Sequence, residues 1–340
     1  MTTPPVVVGA DVGGTSTRVG VATLAGEMVS LATGGPGNPN SLGLAGSAAV
    51  IRSVTERALD SVDGQVAAVV IALAGGSRAV ADPGFLAAAA PRGVGPEPVL
   101  VSDLTAAFYS ATPETRGAVL LAGTGSVAGQ ILGNQLVQQR DGWGWLLGDE
   151  GSGFWIGRAS VRATLAGLQR RAPPGPLARD VLVQSGATDY VSLLQACYRQ
   201  PPTWLAQFAP LVSRHARDDP VAAAIADEAA ETLWELLLSL PPRPGEPVVL
   251  AGSVLTANGP VSRALRQRLT GAPRVATTTA GHGPGATGHG IGATSVLSAA
   301  SGVVGALWLA LAAPGRSDGE RSGSRAGLHA ALLGSAQRWS

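Results

Sequence analysis

Glycine- and hydroxyl-rich turns follow predicted strands in this chain, and a carboxylate lies beside the first of them. Asp11 ends the apolar run Val6–Ala10 and precedes the turn Val12–Thr17. Glycines let backbone N–H groups point at one spot and hydroxyls add donors, so such a turn suits phosphate oxygens. A carboxylate beside a phosphate needs a divalent cation between them, which makes Asp11 a candidate Mg²⁺ partner. The alternative is an ordinary hairpin in which Asp11 caps its own turn.

A second turn, Gly123–Ser126, follows the predicted strand Ala118–Ala122. Two such turns facing each other would hold a polyphosphate from both sides. Its sequence GTGSVA also matches the dinucleotide fingerprint G-x-G-x-x-A, which requires a helix next and would indicate an NAD-dependent oxidoreductase. Val127–Leu132 has the pattern of a strand, which favours the phosphate turn. A third related turn, Gly252–Ser253, follows Val248–Ala251.

Three further carboxylates are candidates for contact with an alcohol or a sugar. Asp103 follows the predicted strand Pro98–Val101, where it could position a hydroxyl and accept its proton. The alternative is that Asp103 is the N-cap of the following helix. Asp149 and Glu150 lie among tryptophans, and an apolar face beside an acid suits a sugar ring; the alternative is a solvated acidic pair at a helix start.

The elements that must position these residues occur in a repeated order. A strand, a Gly/Thr turn and another strand occur twice, about 110 residues apart, which predicts two similar halves rather than a short-period repeat. The spacing of apolar residues predicts a helix over Ser47–Leu59 and a mostly helical Ala293–Leu311. Asp219-Pro220 is typical of an N-cap and first helical residue, and opens a helix to about Leu240.

Composition excludes several classes of protein. The net charge of +1 gives no electrostatic case for nucleic acid or anionic membrane as a partner. All 24 basic residues are arginine, which excludes a Walker P-loop and a protein-kinase fold because each needs a lysine. The single Cys197 fits a reducing compartment, and MTTPPVVV has no signal-peptide pattern, so we expect a cytoplasmic protein. Gly302–Ala313 is too short to span a bilayer and predicts a buried helix.

Four segments together resemble a known family: GADVGGTSTRVGVAT, LLAGTGS, GWGWLLGDEGSGFWIGRASV and VVLAGSV. In this order and spacing they are similar to the BadF/BadG/BcrA/BcrD family, and within it to N-acetylglucosamine kinases. The resemblance covers about residues 6–300 and implies an α/β fold with two actin-like (ribonuclease H-like) domains, whose mixed sheets flank a nucleotide-binding cleft. We expect an N-terminal domain of residues 1–113 plus 290–312, a C-terminal domain of residues 114–289, and a mostly flexible tail at 313–340.

The resemblance also implies roles for individual residues. Asp103 would be the catalytic base and Asp11 the residue that organises Mg²⁺. ATP would be held by Gly13, Gly14, Thr15, Ser16, Thr17, Gly123, Thr124, Gly125, Gly252, Ser253 and Val254. The sugar would contact Asn38, Gly75, Gly76, Asp103, Ser126, Gly142, Trp143, Gly144 and Asp149.

The implied activity is an ATP-dependent amino-sugar kinase that phosphorylates the 6-hydroxyl of N-acetylglucosamine or a close relative, acting as a homodimer. Val127 stands where related kinases often carry a sugar-contacting asparagine, so glucosamine and N-acetylmuramic acid remain alternative substrates. Another alternative is a non-sugar ATPase or activator of the same family. Its iron–sulfur members hold a cluster between subunits through cysteines, a role that the single Cys197, far from the turns, disfavours. His282 and His289 flank a glycine loop, and their spacing favours a solvated loop over a metal site.

Overall fold

The computed structural model describes residues 4–75, 82, 84–93, 95–271, 295–313 and 324–339. These contain ten strands: β1 (Pro5–Val12), β2 (Thr17–Thr23), β3 (Met28–Gly34), β4 (Gln65–Leu73), β5 (Val99–Ser102), β6 (Arg116–Ala122), β7 (Ser126–Leu132), β8 (Gln135–Asp141), β9 (Val248–Ala251) and β10 (Val296–Ser298). The first six helices are α1 (Pro39–Leu59), α2 (Phe85–Ala89), α3 (Asp103–Tyr109), α4 (Gly153–Gln169), α5 (Pro176–Ser185) and α6 (Tyr190–Arg199). The others are α7 (Ala209–His215), α8 (Pro220–Leu238), α9 (Ser253–Thr256), α10 (Pro260–Gly271), α11 (Gly302–Leu311) and α12 (Arg325–Ala336), with 3₁₀ turns at Pro202–Phe208 and Gln337–Trp339.

The strands form two five-stranded sheets with one shared strand order. The first sheet runs β3-β2-β1-β4-β5, and the second runs β8-β7-β6-β9-β10. In the first sheet β1 pairs antiparallel with β2 and parallel with β4. In the second sheet β9 lies parallel between β6 and β10. The α/β fold and the repeated half predicted from the two glycine turns are therefore confirmed.

The chain divides into two compact units. Unit 1 comprises the described residues within Met1–Thr115, Ile131–Leu136 and Ala299–Ser340, and unit 2 those within Arg116–Gln130 and Val137–Ser298. In unit 1 a core of mostly aliphatic side chains from β1, β2, β4 and α1 includes Val8, Val21 and Ile51. In unit 2 the core joins β6 and β9 to helices α4–α8 and includes Leu120, Phe208 and Leu233.

Helix boundaries follow from capping residues. Asn38 caps α1 by accepting the amide of Asn40, and Pro39 takes the first helical position, where its missing N–H costs nothing. Gly43 interrupts that helix with φ +70°. Asp219 caps α8 ahead of Pro220, as the sequence predicted. Helix α11 is buried along its length, as expected for GVVGALWLALAA.

Two segments differ from expectation. Within the stretch expected to be mostly helix, Val296–Ser298 forms β10 and the helix begins only at Gly302. Pairing with β9 overrides the weak helical pattern of this short segment. The segment expected to be a flexible tail contains helix α12. Near the end of this helix, the Ser335 hydroxyl accepts a hydrogen bond from the Met28 amide at 3.0 Å and donates one to the Gly26 carbonyl. None of the helices in the described ranges has the length and apolar character of a membrane-spanning segment.

Candidate active site

Asp11 lies at the end of β1 in unit 1, in a partly desolvated position. Its cross-strand partner on β2 is Arg18, whose side chain is exposed. A Cβ added at Gly302, the first residue of α11, would come within 2.6 Å of the Asp11 carboxyl carbon, so only glycine lets that helix approach so closely. Burial, together with the nearby Asp103 carboxylate, raises the pKa of Asp11 to about 6, and Arg18 opposes this shift.

Asp103 is the first residue of α3 and lies within electrostatic reach of Asp11. The N-cap is Ser102, whose hydroxyl accepts the Leu104 amide, so Asp103 does not itself cap this helix. One Asp103 carboxylate oxygen accepts the Leu104 amide at 2.9 Å and the Ser102 hydroxyl at 3.2 Å. Burial raises the pKa of Asp103 more than these hydrogen bonds lower it. Unit 1 thus holds two adjacent carboxylates whose charged forms are disfavoured.

The first glycine turn lies beside Asp11 and leaves several donors unused. The Gly13 amide donates to Ser16, while the amides of Gly14 and Thr15 donate to no atom among the described residues. The buried Thr17 hydroxyl also lacks a hydrogen-bond partner in the described part of the chain. The amides of the exposed residues Gly14 and Thr15 are the kind of donors that an anion-binding turn offers, whereas the Thr17 hydroxyl is fully buried.

Asn38 and Gly75 lie together in unit 1. A Cβ on Gly75, which has φ +67°, would sit 3.4 Å from the Asn38 carboxamide oxygen. That oxygen already accepts the Asn40 amide at 2.8 Å. The carboxamide nitrogen of Asn38 makes no hydrogen bond within the described ranges. Gly76, predicted to contact the sugar, lies outside the described residues, as do His282 and His289.

The second glycine turn, in unit 2, is fixed from behind by the start of α4. The Gly153 amide donates to Gly123 at 2.7 Å, and the Phe154 amide donates to Thr124 at 3.1 Å. The amides of Thr124 and Gly125 make no hydrogen bond with the described residues. The turn is therefore held through its carbonyl groups while two N–H groups stay available.

The third turn lies against the second. Gly252 has φ +81°, and its Cβ position falls 2.8 Å from the Gly123 amide nitrogen, so a side chain there would displace the second turn. Ser253 and Val254 then open the short helix α9. Of the residues predicted to hold ATP, those in unit 2 therefore lie side by side.

The residues predicted to contact the sugar between Gly142 and Asp149 differ in how far they are buried. Asp149 is only 8% exposed, and its carboxylate accepts the Ser126 amide at 3.3 Å. Burial raises the pKa of Asp149, the amides of Ser126 and Gly144 lower it, and Asp141 and Glu150 raise it further. Asp149 is therefore no solvated residue, whereas Glu150 is exposed. Trp143 is 71% exposed and, with Gly142 and Gly144, lies at the surface of unit 2.

Sequence reasoning missed two residues beside Asp11. Arg18 had a detectable signal, because the hairpin register places it opposite Asp11. Gly302 had none, because its contact with Asp11 joins residues 291 positions apart and depends on how α11 packs. The dinucleotide alternative is wrong, since Ser126–Leu132 is a strand and not a helix.

The chain is similar to known proteins in sequence and in fold. The model of the BadF/BadG/BcrA/BcrD ATPase family matches residues 8–288. A glucosamine kinase of Vibrio cholerae is 30% identical over 255 residues, which cover 73% of this chain and 84% of that protein. An N-acetylmuramic acid/N-acetylglucosamine kinase of Clostridium acetobutylicum is 26% identical over 234 residues, covering 67% and 76% of the two chains.

A solved structure from Chromobacterium violaceum, provisionally named an N-acetylglucosamine kinase, superposes with a TM-score of 0.64 at 28% identity. The match covers 78% of this chain and 90% of the other. A ROK family glucokinase from Streptomyces griseus, solved with glucose and AMPPNP, shares the fold with a TM-score of 0.54 at 19% identity, over 91% of this chain and all of that one. Since the family model spans most of its length, the chain belongs to the BadF/BadG/BcrA/BcrD ATPase family.

Proposed function

We propose that this protein is an ATP-dependent amino-sugar kinase that transfers the γ-phosphoryl group to the 6-hydroxyl of N-acetylglucosamine or a close relative. The observation that carries the proposal is the desolvated Asp103 carboxylate at the start of α3, beside Asp11 and the first glycine turn. The curated relatives named as amino-sugar kinases support the same substrate class.

Asp103 would position the attacking hydroxyl and accept its proton as the bond from oxygen to the γ-phosphorus forms and ADP departs. A carboxylate with a raised pKa binds a proton more readily than an ordinary aspartate, which suits a general base. The hydrogen bonds from Leu104 and Ser102 fix the plane of the carboxylate.

Phosphate binding would rest on backbone donors, because the chain has no lysine. In unit 1 the unused amides of Gly14 and Thr15 are such donors, and in unit 2 those of Thr124 and Gly125 are. Mg²⁺ fits this donor set, since a cation would neutralise Asp11, whose charge is otherwise disfavoured. When bound, it would offset charge on the transferring phosphoryl group. Among the described residues, no group of three acidic, His or Cys side chains is placed to hold a metal ion, so Asp11 would share the cation with water and phosphate oxygens.

The preferred amino sugar is the open part of the proposal. Val127 is buried, and the position of a Cβ on Gly142 lies 3.0 Å from its Cγ2 atom. Its side chain neither donates nor accepts a hydrogen bond, so glucosamine and N-acetylmuramic acid stay alternatives that the sugar panel below separates. From the resemblance we also propose a cytoplasmic homodimer.

The test is a coupled ADP-release assay with ATP·Mg²⁺ and a panel of N-acetylglucosamine, N-acetylmuramic acid, glucosamine and glucose. We expect sugar-stimulated ADP release in the wild type and a loss of about 10²-fold or more in kcat for Asp103→Asn. Asp63→Asn is the matched control, because Asp63 is an exposed aspartate of the same unit that should not affect turnover.

The outcomes separate this proposal from its rival. An ATPase or activator of the same family would hydrolyse ATP slowly, and no sugar would accelerate it. ADP release that no sugar stimulates refutes the kinase proposal, and near-wild-type turnover by Asp103→Asn removes Asp103 from the mechanism.

A further inference from the structure

The loop between β8 and α4 begins and ends at residues in an unusual backbone conformation. Asp141 has φ +59° and Asp149 has φ +60°, both in the left-handed region that favours glycine. In the described chain only two other non-glycine residues, Asn134 and Arg171, share this conformation. Position 141 carries an aspartate although glycine would fit the backbone with less strain, so the contacts of its carboxylate are of interest.

That carboxylate closes the loop. One oxygen of Asp141 accepts the Asp149 amide at 3.0 Å and lies 3.4 Å from the Trp143 amide nitrogen. A Cβ at Gly148 would overlap the same oxygen, so the loop is folded tightly over the carboxylate. The Gln139 side chain donates to the Asp141 carbonyl at 3.2 Å and holds the residue from the strand side.

From the loop the contacts continue to the second glycine turn, within unit 2. The Asp149 carboxylate accepts the Ser126 amide, and the Ser126 hydroxyl donates to the Glu150 carbonyl at 2.7 Å. A Cβ at Gly125 would come within 2.6 Å of an Asp149 carboxylate oxygen. The orientation of Asp149, and with it the seating of the turn, therefore depends on the amide that Asp141 holds.

The side chains of the loop between β8 and α4 make little packing contact that would hold the loop in place. Trp143, Leu146 and Leu147 are 71%, 72% and 74% exposed. Trp145 has one ring contact, with Phe154 at 5.8 Å between centroids. Since these side chains bury little area, the polar contacts of Asp141 set where the exposed apolar surface lies.

We propose that Asp141 is a positioning residue for sugar binding: its carboxylate closes the Gly142–Gly148 loop and orients Asp149 against the Gly123–Ser126 turn. This inference rests on the proposed function. Asp141 itself touches neither the sugar nor the nucleotide in this scheme and acts through the backbone of the loop.

The experiment compares Asp141→Gly with Asp141→Asn. Glycine keeps the left-handed backbone and removes the acceptor, whereas asparagine keeps an acceptor oxygen. Arg171→Gly is the matched control, because it relieves the same conformation at an exposed residue of unit 2 outside the loop. Each variant is assayed for the KM of its best sugar, the KM of ATP and kcat. Hydrogen–deuterium exchange is measured on peptides that contain Trp143 and Asp149.

We expect Asp141→Gly to raise the sugar KM about tenfold with a smaller change in kcat, and to speed exchange at Trp143 and Asp149 about tenfold. Asp141→Asn should restore most of both properties, and Arg171→Gly should match the wild type. Unchanged exchange in Asp141→Gly overturns the proposal, as does a sugar KM that stays at the wild-type value. If no sugar stimulates the wild type, the proposed function fails, and the exchange arm alone upholds or overturns loop closure by Asp141.

Discussion

Replacing Asp11 by asparagine should stabilise the protein while impairing catalysis, and the gain should grow with pH. The pKa of Asp11 is raised from 3.8 to about 6 by burial and by Asp103. The folded state therefore binds the Asp11 proton more tightly than the unfolded state does. The wild type loses stability as pH rises from the unfolded pKa through the folded one, and Asp11→Asn lacks this loss.

The size of the effect follows from the shift. A difference of about two pKa units corresponds to about 3 kcal/mol between the low-pH and high-pH limits. Across the experimentally convenient interval from pH 5 to pH 7.5, the advantage of Asp11→Asn should increase by about 1.4 kcal/mol, because the low-pH part of the transition lies below that interval.

Urea unfolding at four pH values between 5 and 7.5, with a chelator and no nucleotide, measures this difference directly. Asp63→Asn controls for the loss of one exposed acidic charge and should show no such trend. In an Asp103→Asn background the trend should weaken, since Asp103 is one cause of the shift. An advantage that is constant with pH, or that shrinks as pH rises, would refute the reasoning.

Two further predictions concern α11 and α12. Gly305→Ala should destabilise unit 1 by about 2 kcal/mol or more, because the added Cβ would overlap the Ala106 carbonyl of α3. Gly334→Ala in α12 is the control: its added Cβ meets no neighbour, so the change should be neutral or mildly stabilising. Differential scanning calorimetry compares the two variants, and equal melting temperatures would contradict the contact between Gly305 and Ala106. His329 is buried with a ring nitrogen 2.8 Å from the Tyr109 carbonyl, and burial lowers its pKa, so stability should fall as pH drops below about 6.5. His329→Gln should lose less stability between pH 7 and pH 5, and a slope equal to that of the wild type would contradict this.

The sequence predicted most strands and the positions of the glycine turns between them, because these depend on local signals. Glycine, proline and capping residues set the ends of β1, β2 and α8, and apolar runs set their interiors. The sequence did not predict α12, although seven of its twelve residues are alanine or leucine, because the helix directly follows a polar, glycine-rich stretch. Its order depends on distant partners, such as the contacts of Ser335 with Gly26 and Met28, and no local pattern encodes them.

The positions of Asp11 and Asp103 also combine a local sequence signal with contacts between residues that are distant in the sequence. Asp11 and Asp103 were both recognisable as residues at strand ends, but their proximity depends on α11. Gly302 abuts the Asp11 carboxyl group, and Gly305 lies against Ala106 in the helix that Asp103 begins. Two glycines three positions apart lie on one helix face, so one face of α11 packs both against the Asp11 carboxyl group and against the helix that begins at Asp103. A change that shifts α11 should therefore alter the pKa of Asp11 even when both carboxylates are retained, which Gly305→Ala tests if its pH–stability curve is compared with that of Asp11→Asn.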